Sequence, residues 1–232
     1  MSELLKITNV TKKYHHFKAL NNVSMTLESG KIIGLLGPNG SGKTTLIKII
    51  NGLLKDYEGE VLVDGKNVGI DSRKIISYLP DENYFQDWMY IKDVLSIFSD
   101  LYEDFDLEKA EEMIEALNIN VDEKIKDMSK GTKEKVQLIL VMSRNADVYI
   151  LDEPIGGVDP AARSFIMRTI LQNFSEESTL IIATHLISEI ENICDEIIFL
   201  SYGEIKLQGN VDEIREEKGK SIDALFREEF RC

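Results

Sequence analysis

Two cysteines, Cys194 and Cys232, are too few for a disulfide framework, so free thiols in a reducing compartment are expected. The three histidines, His15, His16 and His185, fall at no spacing that holds a zinc ion. The longest stretches without a charged residue, Ile32–Gly42 and Ser178–Ser188, run 11 residues each. A membrane-spanning helix needs roughly 20 apolar residues, so no span is expected. The start, MSELLKITNV, has no basic cluster followed by an apolar core, and no secretion leader is expected either. Positive charge is also short, with 27 Lys and Arg against 41 Asp and Glu and a formal net charge of -14. That sign argues against a partner gripped by its phosphate backbone, and no nucleic acid is expected.

What is present suits one globular domain: 232 residues, 43% of them hydrophobic. Apolar residues near-alternate from Leu4 to Leu27, as in Leu5, Ile7, Val23, Met25 and Leu27, which predicts strands closed by Glu28-Ser29-Gly30. Short continuous apolar runs at Ile32–Leu36, Val148–Leu151, Leu180–Ala183 and Ile197–Leu200 read as buried parallel strands. Glu60–Asp64, ending in the turn pair Asp64-Gly65, and Ile75–Leu79, before Pro80, read as further strands. From about Tyr90 to Arg144 the spacing is helical. Val94, Leu95, Phe98 and Leu101 share one face, and Ala110, Met113, Ile114 and Leu117 another, with Asp106 at an N-cap position. The sum is an α/β fold with a mostly parallel sheet, an antiparallel lead-in and an inserted helical piece. Asp100–Lys124 holds ten acidic residues against Lys109 and Lys124. It reads as a solvated helix face, or as a docking surface for a basic partner. Ile222, Leu225, Phe226 and Phe230 share a helical face that should pack on the chain's own core. Cys194 is expected in a helix-like stretch, and His15 and His16 at the surface.

The chemistry concentrates at Gly37-Pro38-Asn39-Gly40-Ser41-Gly42-Lys43-Thr44, which fits G-x-x-x-x-G-K-[ST] at every position. Glycines let successive backbone N–H groups turn toward a phosphate, and the helix that follows aims its positive end at the same anion. Lys43 should reach the β- and γ-phosphates and the Thr44 hydroxyl should ligate Mg²⁺, with Thr45 opening the helix beside it. A nucleoside triphosphate is therefore the expected ligand. A second element, Val148–Glu153, is an apolar strand ending in two carboxylates. Asp152 suits Mg²⁺, and Glu153 suits a base that polarises the attacking water.

The P-loop, Met128-Ser129-Lys130-Gly131-Thr132, Asp152-Glu153-Pro154, Gly157-Val158-Asp159 and His185, in this order, resemble the ATP-binding subunit of ABC transporters over nearly the whole chain. The resemblance implies a P-loop ATPase fold with an ATP-binding core lobe over 1–84 and 146–232 and a helical signature lobe over 85–145. It implies that Tyr14 stacks on adenine, that Ser129 and Gly131 grip the γ-phosphate held by a second ATPase subunit, and that Asp159 lies in the loop crossing between the two. Ser129 is also a good N-cap on pattern alone. His185 matches the histidine that senses the γ-phosphate and braces the attacking water beside Glu153. The family usually has Gln where Asp81 stands; Asp81 is accordingly a candidate Mg²⁺ ligand that adds negative charge near Glu153. Lys130 replaces a glycine and Thr132 a glutamine. Lys130 either adds positive charge near the phosphates or faces solvent. The Ser-Lys-Gly signature resembles subunits paired with exporter membrane chains of the ABC-2 type. The expected function is thus ATP hydrolysis on the cytoplasmic face of the membrane, peripheral through a permease encoded as a separate chain. A soluble ATPase of the same class and an ATP-dependent switch stay open as alternatives.

Overall fold

The computed structural model describes residues 3–230, with nothing described of the side chains at 161 and 162; Cys232 lies outside the described residues. Strands β1 (Glu3–Tyr14) and β2 (Phe17–Glu28) form a long hairpin, followed by β3 (Ile32–Leu36) and α1 (Lys43–Ile50). Next come β4 (Glu58–Val63), β5 (Lys66–Asn67), α2 (Ile70–Ile75) and β6 (Ile76–Leu79). The helical piece is α3 (Ile91–Leu101), α4 (Leu107–Ala116), a 3-10 turn at Ile125–Asp127 and α5 (Lys130–Met142). The chain then returns through β7 (Val148–Asp152), α6 (Pro160–Asn173), β8 (Thr179–Thr184), α7 (Ile187–Ile190) and β9 (Glu196–Ser201). It closes with β10 (Glu204–Asn210), α8 (Val211–Lys218) and α9 (Ile222–Glu229).

Two sheets result. The antiparallel one runs β2-β1-β4-β5, and the central one β10-β9-β3-β8-β7-β6, parallel except for its β9–β10 edge. The central strands are apolar without interruption because alternate residues serve two different cores. Ile33, Leu35, Val148, Ile150, Ile181, Ala183, Ile198 and Leu200 join the antiparallel sheet and α1 on one face. Leu36, Tyr149, Leu151, Leu180, Ile182, Ile197 and Phe199 join α6 and the C-terminal helices on the other. The face of α9 packs there as expected, with the Phe226 and Phe230 rings 5.5 and 5.9 Å from that of Phe199.

A third core belongs to the helical piece: Ile91, Val94, Leu95, Ala110, Ile114, Val136, Ile139 and Leu140. Leu101 departs from the expected face, being 69% exposed at the last residue of α3. Arg144 ties this piece to the sheet. Its guanidinium is 3% exposed and bonds both Asp104 oxygens, the carbonyls of Ile76 and Lys74, and stacks 4.0 Å from the centre of the Tyr102 ring. Asp106 caps α4 through Lys109 N at 3.0 Å. Within the acidic stretch, then, Asp104 and Asp106 hold the fold while Asp100, Glu103, Glu108, Glu111, Glu112 and Glu115 are exposed. Cys194 is not helical; it sits buried between a turn and β9, where burial pushes its thiol up to about 12. His15 and His16 are exposed, as expected.

Candidate active site at the strand ends

Strand order decides which loops meet. β8 lies between β3 and β7, and β6 lies beyond β7, all parallel, so their C-terminal ends stand in a row. Leu36 pairs with Thr184, Asp152 with Ala183, and Leu79 with Leu151. The residues that follow are therefore neighbours: Gly37–Gly42 after β3, His185 after β8, Glu153 after β7, Pro80 and Asp81 after β6. Open parallel sheets place their ligand sites at this edge.

The loop after β3 has no room for side chains at its ends. A Cβ on Gly37 would stand 2.3 Å from the Leu200 carbonyl oxygen, and one on Gly42 2.5 Å from that of Ala19. Gly42, the residue before α1, also has φ +111°, a conformation that only glycine takes without strain. From behind, Gly203 N donates to Ser41 O at 2.9 Å, and Asn21 N donates to Gly203 O at 2.8 Å. Pro38, Asn39 and Gly40 form the outer turn, with Ser41 N donating to Pro38 O at 3.1 Å. Thr44 is exposed and Thr45 half-buried on the first turn of α1.

Lys43 is only 5% exposed. Its ammonium donates to Gly37 O at 2.7 Å and Pro38 O at 3.3 Å and lies 3.4 Å from Glu153 Oε1. Glu153 has φ +50°, a costly backbone for a non-glycine residue, held by Glu153 N donating to Ala183 O at 2.8 Å. Its other oxygen, Oε2, accepts from Thr184 Oγ1 at 3.0 Å and pairs with His185 Nδ1 at 3.0 Å. One carboxylate thus links the ends of three strands. Thr184 was not visible as a site residue in the sequence. A β-branched hydroxyl residue ending an apolar strand looks like ordinary strand filler.

Asp152 is 1% exposed, and neither of its oxygens has a hydrogen-bond partner. Ser41 Oγ and Glu153 Oε1 are buried in the same condition. Burial pushes the Asp152 carboxyl up to about 6; the Thr44 hydroxyl opposes this, Asp81 and Glu153 reinforce it, and Lys43 opposes it. Buried oxygens without donors, among further carboxylates and a threonine hydroxyl, are what a hard divalent cation satisfies. Thr44, Asp81 and Asp152 line one cavity of about 720 Å³ that continues as an apolar groove past Tyr84, Phe85, Ile97 and Leu101.

The remaining expected residues stand apart from this cluster. Tyr14 is exposed at the tip of β1 opposite Phe17, with the Lys12 ammonium 5.0 Å from its ring centre. Ser129 caps α5, accepting from Thr132 N at 3.2 Å, and is exposed; Gly131 has open space where a side chain would be. Asp159 is exposed at the start of α6, its carbonyl accepting from Arg163 N at 3.0 Å.

Comparison with known proteins gives the family and the fold. The ABC transporter family matches the chain over residues 20–156. The chain belongs to the ABC transporter family. It is 33% identical to an uncharacterised ABC transporter ATP-binding protein of Methanocaldococcus jannaschii, over 92% of this chain and 80% of that one. It is 30% identical to the lipopolysaccharide export system ATP-binding protein LptB of Haemophilus influenzae, over 93% and 94%. Among solved structures, an ATP-binding subunit of an ABC transporter superposes with a TM-score of 0.85 at 25% identity, covering 97% of this chain and 98% of that one. As an ATP-binding subunit of this family, the chain is a P-loop ATPase that dimerises and works with membrane subunits. Among the described residues, no helix is long and apolar enough to cross a membrane.

Proposed function

We propose that the chain is the ATP-hydrolysing subunit of an exporter whose membrane-spanning part, of the ABC-2 type, is a separate chain, and that it works on the cytoplasmic face of that membrane. The observation that carries the reading is the convergence of Lys43, Glu153, Thr184 and His185 around one carboxylate beside Asp152, at the open end of a glycine loop. The likeness to an export-system protein supports the direction of transport.

In this reading the backbone of Gly37–Thr45 cradles the phosphates and the base stacks on Tyr14. Lys43 leaves the loop carbonyls for the phosphate oxygens, which are stronger acceptors for an ammonium. Thr44, Asp152 and Asp81 would hold Mg²⁺, which when bound neutralises phosphate charge and screens the buried Asp152. Glu153 accepts the proton of the attacking water at Oε1, the oxygen that faces the Lys43 ammonium at 3.4 Å and is freed as Lys43 turns to the phosphates. Thr184 and His185 hold the opposite oxygen and so fix the carboxylate's direction. Ser129 and Asp159, which are exposed, and Gly131, with open space beside its Cα, act on the nucleotide of the second subunit. ATP then closes a dimer, and phosphate release reopens it.

The core lobe is 1–84 with 146–232 and the signature lobe is 85–145. The groove between them, lined by Tyr84, Phe85, Ile97, Phe98 and Leu101, takes a cytoplasmic helix of the membrane chain. Equilibrium ATP binding tests the site: Lys43→Ala is expected to weaken it tenfold or more, on the order of a lost charge-assisted contact. Unchanged affinity would contradict the reading.

A further inference from the structure

The fold brings Asp81 and Lys130, a negative and a positive side chain, to one place. A crevice of about 60 Å³ has Asp81, Glu134, Asp152 and Glu153 in its wall together with Lys130. The neighbouring cation, Lys43, is occupied by two loop carbonyls and Glu153. Lys130 enters from the other lobe, as the first residue of α5. Its ammonium lies 3.6 Å from Glu134 Oε1 and 3.8 Å from where a Cβ on Gly157 would stand. It therefore reaches the loop that follows Glu153. Without it, four carboxylates would share a small crevice with no mobile cation, beside the place where a polyphosphate enters.

We propose that Asp81 and Lys130 are a compensating pair. Lys130 is a positioning residue whose ammonium offsets the carboxylate at position 81 and so sets how readily the crevice admits an anionic nucleotide. The inference rests on the nucleotide site described above. Both groups are solvent-exposed, Lys130 at 82% of its side chain, so each charge acts through screened Coulomb forces. The effect is a change of roughly two- to fivefold, sensitive to salt.

The test is equilibrium ATP binding to the full chain in EDTA, where metal ligation by Asp81 does not enter, at low and at high salt. The variants are Asp81→Asn, Lys130→Gln and the double substitution, each checked for an unchanged melting temperature. Lys133→Gln, on the same helix outside the crevice, controls for general charge. Asp81→Asn is expected to tighten binding and Lys130→Gln to weaken it, roughly two- to fivefold each. The double variant should return close to the native Kd, and both shifts should shrink at high salt while Lys133→Gln changes little. An unchanged Kd in Lys130→Gln would overturn the pair. So would a double variant that keeps the full gain of Asp81→Asn, or a Lys133→Gln effect as large as that of Lys130→Gln. Failure of the native chain to bind ATP would instead overturn the nucleotide-site reading beneath it.

Discussion

Glu153 shows how one side chain inherits its direction from the strands around it. Its backbone is turned to φ +50°, one oxygen is held by Thr184 and His185, and the other is left toward Lys43 and the phosphate loop. Beside it, Asp152 gives a pH signature. Its carboxyl is raised from an ordinary value near 3.8 to about 6, chiefly by burial. A carboxyl raised on folding favours the fold while protonated; that contribution is full below the unfolded value and is lost as pH rises through about 6. Metal-free Asp152→Asn should therefore outlast the native chain in denaturant at pH 7.5, by up to about 3 kcal/mol, and converge with it near pH 4. A gap that does not change with pH would count against this. The native chain should gain stability from Mg²⁺ with ATP, and the variant much less. At this scale the sequence was informative where spacing carries the chemistry: Lys43, Thr44, Asp152 and Glu153 follow from a loop and a strand end. Thr184 did not show, because its role comes from the neighbouring strand rather than from its own context.

The loop and the helical piece show what an element needs. Gly37→Ala would drive a methyl into the Leu200 carbonyl, 2.3 Å away, and Gly42→Ala adds the strain of φ +111°. Either should distort the phosphate loop and abolish measurable ATP binding, whereas Gly40→Ala, which meets open space and carries only the backbone strain of φ +79°, should lose less. Arg144 is the tie between helical piece and sheet. Arg144→Met leaves Asp104 and two carbonyls without their donor, and should destabilise the chain by about 3–5 kcal/mol in urea unfolding. Removing the α4 cap by Asp106→Ala should cost about 1 kcal/mol. Periodicity exposed the long helices and the buried strands, since both rest on local repetition. It missed α2 and the two-residue β5, which are too short to repeat. It set Leu101 on the apolar face of α3, although the helix ends there and Phe98 is the last of that face to pack on the core while Leu101 is in solvent. Arg144 was invisible for a different reason: its partners Asp104, Ile76 and Lys74 lie 40, 68 and 70 residues away.

For the whole molecule, the proposed function needs the exposed Ser129 and Asp159 and the open space around Gly131 to be completed by a second ATPase subunit. Mg²⁺-dependent ATP hydrolysis by the native chain and by Glu153→Gln, each followed by size-exclusion chromatography in ATP, joins that surface to the chemistry. Turnover in the native chain should fall by about 10²-fold or more in the variant, while ATP binding persists and an ATP-held dimer accumulates. Undiminished turnover in Glu153→Gln would remove Glu153 as the base. A variant that binds ATP tightly yet stays monomeric would show that Ser129, Gly131 and Asp159 do not close on the nucleotide of a second copy.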